Sequence, residues 1–339
     1  MLIRVPDYYD QFRCLAGACP HTCCEAWEVV IDRETAARYR ELPSPLGEKL
    51  RQAMTVDEDG DLCFPLSGGR CPFLDGDNLC QIHRELGEEA TSVTCQEHPR
   101  FTEDYGPFRE ITLSASCPAA NALLLGSCQT LTFRTWETAE EGEESDPWTE
   151  ALLPVRERML MLLADRSKPL RKRLAEILLI SQAAQDLLDR EEGEDLPALA
   201  SSWQPEPWAA ESGGIFPEAL RFLQGLDVLD PAWRTLLGRA EETAPVPVPE
   251  ALLERIASYL IFRYPLKAVN DGDLLGRTAL CVLAVLTVER AAAVCGLPEA
   301  LRQFSREIEH SQENLEAIQE AFWTEAWFQL PRILGELEV

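Results

Sequence analysis

Ten of the twelve cysteines in this 339-residue chain fall between Cys14 and Cys128, and that crowding constrains the fold more than any other feature. A chain that used cysteine only as a small buried hydrophobe would scatter it. Cys14, Cys19, Cys23 and Cys24 lie in one run, Cys14-Leu-Ala-Gly-Ala-Cys19-Pro-His-Thr-Cys23-Cys24. Cys23 and Cys24 are adjacent, so their side chains cannot both enter one small core pocket. Gly17 and Pro20 let the backbone fold back around a centre. Neighbouring thiolates repel unless a cation holds them, and thiolates select soft metals and iron–sulfur clusters. The competing reading is a reduced, buried, cysteine-rich turn.

A second set follows. Cys71 and Cys80 flank a turn at Asp75-Gly76 that can bring both sulfurs to one centre. Cys95 and Cys117 stand alone in sequence. The spacing is neither that of a paired-knuckle zinc finger nor that of the bacterial ferredoxin run, so it does not choose the metal. Cys63 and Cys128 have no partner motif. Cys281 and Cys295 would sit roughly 21 Å apart along one helix, too far to share an ion, and read as core. Of the histidines, His21 and His98 read as exposed loop residues before they read as ligands. His83 has no special context, and His310 falls on a polar helical stretch and is expected to be solvated.

Up to about residue 125 the pattern is broken by Gly and Pro. Short helices are expected at 35–42 and 48–54, a strand at 108–113, and an apolar helix at 119–125. Seven carboxylates and no basic residue occupy 137–150, a solvated linker pattern. Beyond it, apolar residues recur at helical spacing over 155–163, 170–190, 217–226, 231–240, 249–264, 273–295 and 298–330. Proline opens several of these segments, as it does at the first turn of helices. The expected fold is α+β and mostly α: an irregular, cysteine-rich, metal-binding domain at 1–127, an acidic linker at 128–150, and an all-α domain at 151–339 packed against the first.

Charge narrows the function. The formal net charge is -27, which argues against the basic footprint of a nucleic-acid binder; it reads first as a solubility feature and second as an attraction for a basic substrate segment. The first residues carry no apolar run like that of a signal peptide. The most apolar stretch, 278–288, is too short to insert in a membrane. The chain is therefore expected in the cytoplasm, where thiols stay reduced and metal ligation outranks disulfides.

These residues resemble a known family. The pattern Phe12, Cys14, Gly17, Cys19, Thr22-Cys23-Cys24, Trp27 and Ile31-Asp32 is similar to that of bacterial flagellin lysine N-methylases, within a wider group of zinc- or iron-chelating cysteine-rich proteins. The similarity continues through Cys71-Pro-Phe-Leu74, Leu79-Cys80, Leu86-Gly87-Glu88, Thr94-Cys95, Pro99-Arg100 and Ser116-Cys117-Pro118. Tyr259–Tyr264 with Asp271-Gly-Asp273 is alike in character but less specific. The resemblance implies methyl transfer from S-adenosylmethionine to lysine amines of flagellin, with a [4Fe–4S] cluster. Carried over by position, it makes Cys14, Cys19, Cys23, Cys24, Cys71, Cys80, Cys95 and Cys117 the metal-ligand candidates. Eight thiols exceed the four that one cluster needs, so either two centres exist or some thiols are structural or redox-active.

The residues themselves do not spell out the methylation. No G-x-G loop occurs, and the C-x-x-x-C-x-x-C signature of radical S-adenosylmethionine enzymes is broken because Cys24 follows Cys23 at once. The alternatives are a non-catalytic chelator of iron or zinc, and a redox or structural protein. The enzyme reading predicts a pocket where the two domains meet. Other candidates have bland competitors: Asp271 and Asp273 as an amine site or an N-cap, Arg100 as a carboxylate partner or a structural ion pair, and Tyr8, Tyr9 and Trp27 as a shield for the cluster or as packing.

Overall fold

The computed structural model describes residues 1–25, 29–57 and 60–338, so Trp27 lies outside the described residues. In the first third, short apolar runs broken by Gly and Pro give short elements. In order they are β1 (Leu2–Pro6), β2 (Val29–Val30), α1 (Arg33–Glu41), α2 (Pro45–Ala53), β3 (Thr55–Val56), β4 (Leu62–Phe64), α3 (Gln81–Leu86), α4 (Val93–Glu97), β5 (Arg100–Asp104), β6 (Phe108–Leu113), α5 (Pro118–Leu125) and β7 (Phe133–Glu137). Caps set several boundaries: Asp32 Oδ1 accepts from Thr35 N, and Ser44 Oγ from Gly47 N.

The strands form two sheets, one ordered β5-β6-β1-β7 and one ordered β2-β4-β3. β1 runs parallel to β6, with Ile3 opposite Arg109, and antiparallel to β7, with Arg4 opposite Thr135. Thus β7 lies inside the stretch expected to be linker, and there 128–132 and 138–146 lack helix or strand.

The rest is helical: α6 (Pro147–Ala164), α7 (Leu170–Asp189), α8 (Leu196–Ser202), α9 (Glu218–Gly225), α10 (Ala232–Glu242), α11 (Glu250–Arg263), α12 (Leu274–Cys295), α13 (Leu297–Phe304), α14 (Gln312–Thr324) and α15 (Leu330–Leu337). The molecule is α+β and mostly α. The segment expected as one helix over 298–330 is broken. A π-helical turn at Ser305–Glu309 leads into His310, and Ser311 restarts the chain by capping Asn314 N. Apolar periodicity runs through such a break because the buried face continues across it.

α12 is longer than its apolar centre suggests. By length and composition it would cross a membrane, but 72% of its apolar window is buried inside the protein. It is the core helix, in contact with α7, α10, α11, α13 and α14.

Packing divides the molecule differently from composition. A small core gathers Val29, Ile31, Tyr39, Leu50, Phe64, Phe73 and Ile82. The large core joins the helices to residues of the first sheet and α5, among them Phe108, Leu113 and Leu124. A buried ion network reinforces that join. Arg156 of α6 is fully buried and donates to both oxygens of Glu110 on β6, at 2.6 and 2.7 Å, and Arg4 of β1 donates to the same carboxylate at 2.9 Å.

Candidate metal centre

The eight candidate thiols come from separate segments that the small core and the first sheet draw together. Cys24 and Cys71 are joined through the backbone, Cys71 N donating to Cys24 O at 2.8 Å. The chain then turns back at Asp75, whose Oδ1 accepts from Asp77 N and Leu79 N at 3.0 and 2.9 Å. Leu74 bridges to Cys80, and Gln81 N donates to Phe73 O. The expected turn therefore forms and returns Cys80 towards Cys71. Cys95 sits in the first turn of α4, held by Ser92 Oγ. Asp32 ties that helix to α1 by accepting from both Val93 N and Thr35 N. Cys117 is the N-cap residue of α5, where the helix dipole favours a thiolate.

Electrostatics show which thiols feel one another. Burial pushes the Cys71 thiol up to about 12, and Cys24, Cys80 and Cys95 add to the rise. Burial also raises Cys80, again with Cys24 contributing. Cys117 is raised by burial and then by Cys19 and Cys14, and Cys19 by burial and then by Cys14 and Cys24. Cys24 goes the other way, down to about 7, because the Cys23 thiol hydrogen-bonds to it and outweighs its burial, with help from Thr22 and Arg70. The two adjacent thiols therefore share a proton more readily than either isolated thiol holds one. Among the described residues, no three Cys, His, Asp or Glu side chains converge tightly enough to hold a single metal ion. The structure gathers soft donors into one region without closing them on one point. In donor chemistry the set fits a thiolate-ligated centre.

The remaining sequence candidates divide. His21 approaches Glu299 of α13, Nε2 to carboxylate 3.8 Å, where the cysteine run meets the helices. Among the described residues Arg100 makes no ion pair. Its Nε donates to Tyr9 Oη at 3.0 Å, and its guanidinium lies over the Tyr9 and Phe12 rings. Tyr8 is buried in the large core. Asp273 is the N-cap of α12, accepting from Gly276 N at 2.9 Å, and Asp271 pairs with Arg277 at 2.5 Å. Cys281 is buried in the core as expected, and Cys295 is half-buried.

The expectation that His310 is solvated fails. Its Nε2 lies 2.8 Å from Ser114 Oγ and 3.0 Å from Ser116 Oγ, and its ring packs on Phe101. Burial drives its pKa down to about 3, with His98, Arg263 and Arg306 adding to the fall. Beside it, Glu309 is buried and accepts from Tyr259 Oη at 3.1 Å and Tyr264 Oη at 3.0 Å. Sequence reasoning missed Glu309 because it sits in a charge-rich helical stretch. The only signal was its spacing from His310 and the conspicuous Tyr259–Tyr264 motif. The π-helical turn that carries Glu309 is a form of backbone that recurs at functional sites.

No family model matches the chain. No solved structure matches it either. Curated relatives do. FliU, a flagellar biosynthetic protein of Salmonella muenchen, is 30% identical over 135 residues, which cover 76% of that protein and 36% of this chain. The chain belongs to the FliU family. Proteins named lysine-N-methylase from Salmonella typhimurium and Salmonella choleraesuis are each 26% identical over 172 residues, 47% of this chain. The match spans 40% of the length of those two relatives.

Proposed function

We propose that this FliU-family protein is a lysine N-methyltransferase acting on flagellin, with S-adenosylmethionine as methyl donor and an iron–sulfur cluster as resident cofactor. The observation that carries the reading is that thiols from distant segments feel one another, Cys71 with Cys24, Cys80 and Cys95 and Cys117 with Cys14 and Cys19, in a chain related to proteins named lysine-N-methylase. The candidate ligands are Cys14, Cys19, Cys23, Cys24, Cys71, Cys80, Cys95 and Cys117. Iron–sulfur is favoured over zinc because a lone zinc needs four donors about 2.3 Å from a single point, whereas the thiolates of a cluster bind different irons.

A lysine reacts only as the free amine, so a protein group must take up its proton. The polar seam between the first sheet and the helices supplies candidates. Burial makes His310 a weak base, so the nearer candidate is the Glu309 carboxylate, held by the Tyr259 and Tyr264 hydroxyls and by Arg263 at 3.4 Å. When bound, S-adenosylmethionine supplies the electrophilic methyl group.

The test has two stages. Anaerobically purified protein is assayed for iron and acid-labile sulfide, and flagellin incubated with it and S-adenosylmethionine is examined for methyl-lysine by mass spectrometry. Iron with matching sulfide, and methyl-lysine that disappears when Cys24→Ser removes a candidate ligand, is the expected result. Zinc without sulfide, even after reconstitution, would overturn the cluster and favour a chelating module. Unmodified flagellin with an intact cluster would overturn the methylation.

A further inference from the structure

The helical half carries a cleft of about 660 Å³ at the junction of α6, α7, α12 and α14, away from the thiols. Its walls include Trp148, Trp323, Leu188, Asp189, Asp271 and Asp273. Both tryptophans are large and open to solvent, 45% and 50% exposed, yet both are anchored. Trp323 Nε1 donates to Asp273 Oδ1 at 3.2 Å, and its ring meets Phe322 edge-on. Trp148 packs so closely on Gly193 that a Cβ there would come within 2.6 Å of its ring. Two anchored indoles are thus presented to solvent at one concavity.

The charges around the cleft decide the sign of the ligand. α12 begins here, and a helix N-terminus ordinarily invites an anion. This one is already satisfied. Leu274 N and Leu275 N donate to Gln185 Oε1 at 3.0 and 3.1 Å, and Gly276 N donates to the Asp273 carboxylate. The C-terminal turn of α7, the negative end of its dipole, lines the cleft through Gln185, Leu188 and Asp189. Of the three carboxylates, Asp271 is engaged with Arg277 and Asp273 with Gly276, Gln319 and Trp323, whereas among the described residues Asp189 accepts from the Gln185 amide alone, at 2.9 Å. The cleft is thus cation-seeking. A metal ion is the wrong cation, since these carboxylates do not converge on a point among the described residues. Indole faces select an organic ammonium with an apolar stem.

We infer that this cleft is a docking site for a lysine side chain of the protein substrate, separate from the site of methyl transfer. The cationic character comes from the geometry, and the assignment to a protein lysine rests on the methylation reading. α12 separates the cleft from the place where the Cys19–His21 turn touches Glu299, a span of roughly 30 Å by helical rise. A lysine held here is therefore not the one that reacts beside the thiols. It positions a basic segment of the substrate while another lysine reaches the centre, and the net charge of -27 favours such a segment at long range.

The test is calorimetric titration of the full-length protein with an acetylated lysine–alanine repeat peptide, the same peptide with norleucine for lysine, and n-butylamine. The lysine peptide is expected to bind at least about tenfold more tightly than either control. Asp189→Asn and Trp323→Leu, each checked for folding by circular dichroism, are expected to weaken it about fivefold, the loss of one ammonium–indole or ammonium–carboxylate contact. Equal binding by the norleucine peptide, or unchanged binding in both folded variants, would overturn the site. Equal binding by butylamine would overturn the protein-docking assignment in favour of a free amine. Because binding requires neither donor nor cluster, tight lysine-peptide binding without methyl transfer would sink the methylation reading alone. Methyl transfer without cleft binding would sink this one alone.

Discussion

His310 shows how a single residue can be misread and why. In sequence it lies in a polar stretch, Glu307 to Glu313, that looks solvated. In the fold it is pinned between Ser114 and Ser116 of the β6–α5 connection, a contact across nearly two hundred positions that no local pattern encodes. Because burial holds its folded pKa near 3, below the ordinary 6.5, the unfolded chain takes up this proton first as pH falls. Stability from this site is therefore intact above about pH 6.5 and lost progressively as pH falls towards 3. His310→Gln is expected to flatten the wild-type loss between pH 7 and pH 5, a difference of at most about 2 kcal/mol. Urea unfolding of both proteins at each pH checks it, and identical slopes would place the proton elsewhere. The cysteines lie at the opposite extreme. Their crowding was visible from the residue list alone, because cysteine is too rare to cluster without cause.

At the scale of elements, the helix boundaries set by proline or a capping side chain were close to legible. Pro118 and Asp273 open α5 and α12 within a residue of where the pattern placed them, whereas α6 begins at Pro147, inside the stretch expected to be linker and well before the expected 155. What local rules missed was the long-range cap. Gln185, on α7, is 5% exposed and takes the first two amides of α12 on one oxygen while its nitrogen donates to Gly272 O. Gln185→Leu keeps the bulk and strands both amides, and is expected to cost about 2 to 4 kcal/mol. Asp273→Asn keeps a capping oxygen and is expected to cost well under about 1 kcal/mol. Chemical denaturation of the two variants, side by side, tests the ranking, and a smaller loss for Gln185→Leu would refute it. The π-helical turn at Ser305–Glu309 was illegible for a related reason, since one extra residue in a turn leaves the apolar face in register.

Across the whole molecule, the division at residue 150 follows composition while the hydrophobic packing does not. Phe108, Leu113, Ala120, Leu124 and Leu131 share one core with α6, α7, α11 and α12, and Glu110 holds the buried Arg156. A fragment spanning 138–339 would expose those helical contacts and take Glu110 from Arg156, leaving it only Glu157 and the Phe262 carbonyl. It is expected to bind a hydrophobic dye and to melt without cooperativity. A sharp calorimetric transition at the full-length temperature would show the helical half to be independent.

The sequence by itself determined composition-level facts: a thiol-rich first third, a helical remainder, strong acidity, and likeness to a lysine-methylating family through the cysteine motif. Those follow from residue identity and short spacing, which survive without coordinates. Which distant groups meet is a property of the folded chain. Folding placed Cys71 on Cys24, set Glu309 and His310 beside Ser114 and the tyrosines, silenced the N-terminus of α12 with Gln185, and left two tryptophans open around Asp189. Each of these joins residues far apart in the chain. They are selected by the burial of apolar surface as a whole, a sum over the entire fold that no short stretch of sequence contains.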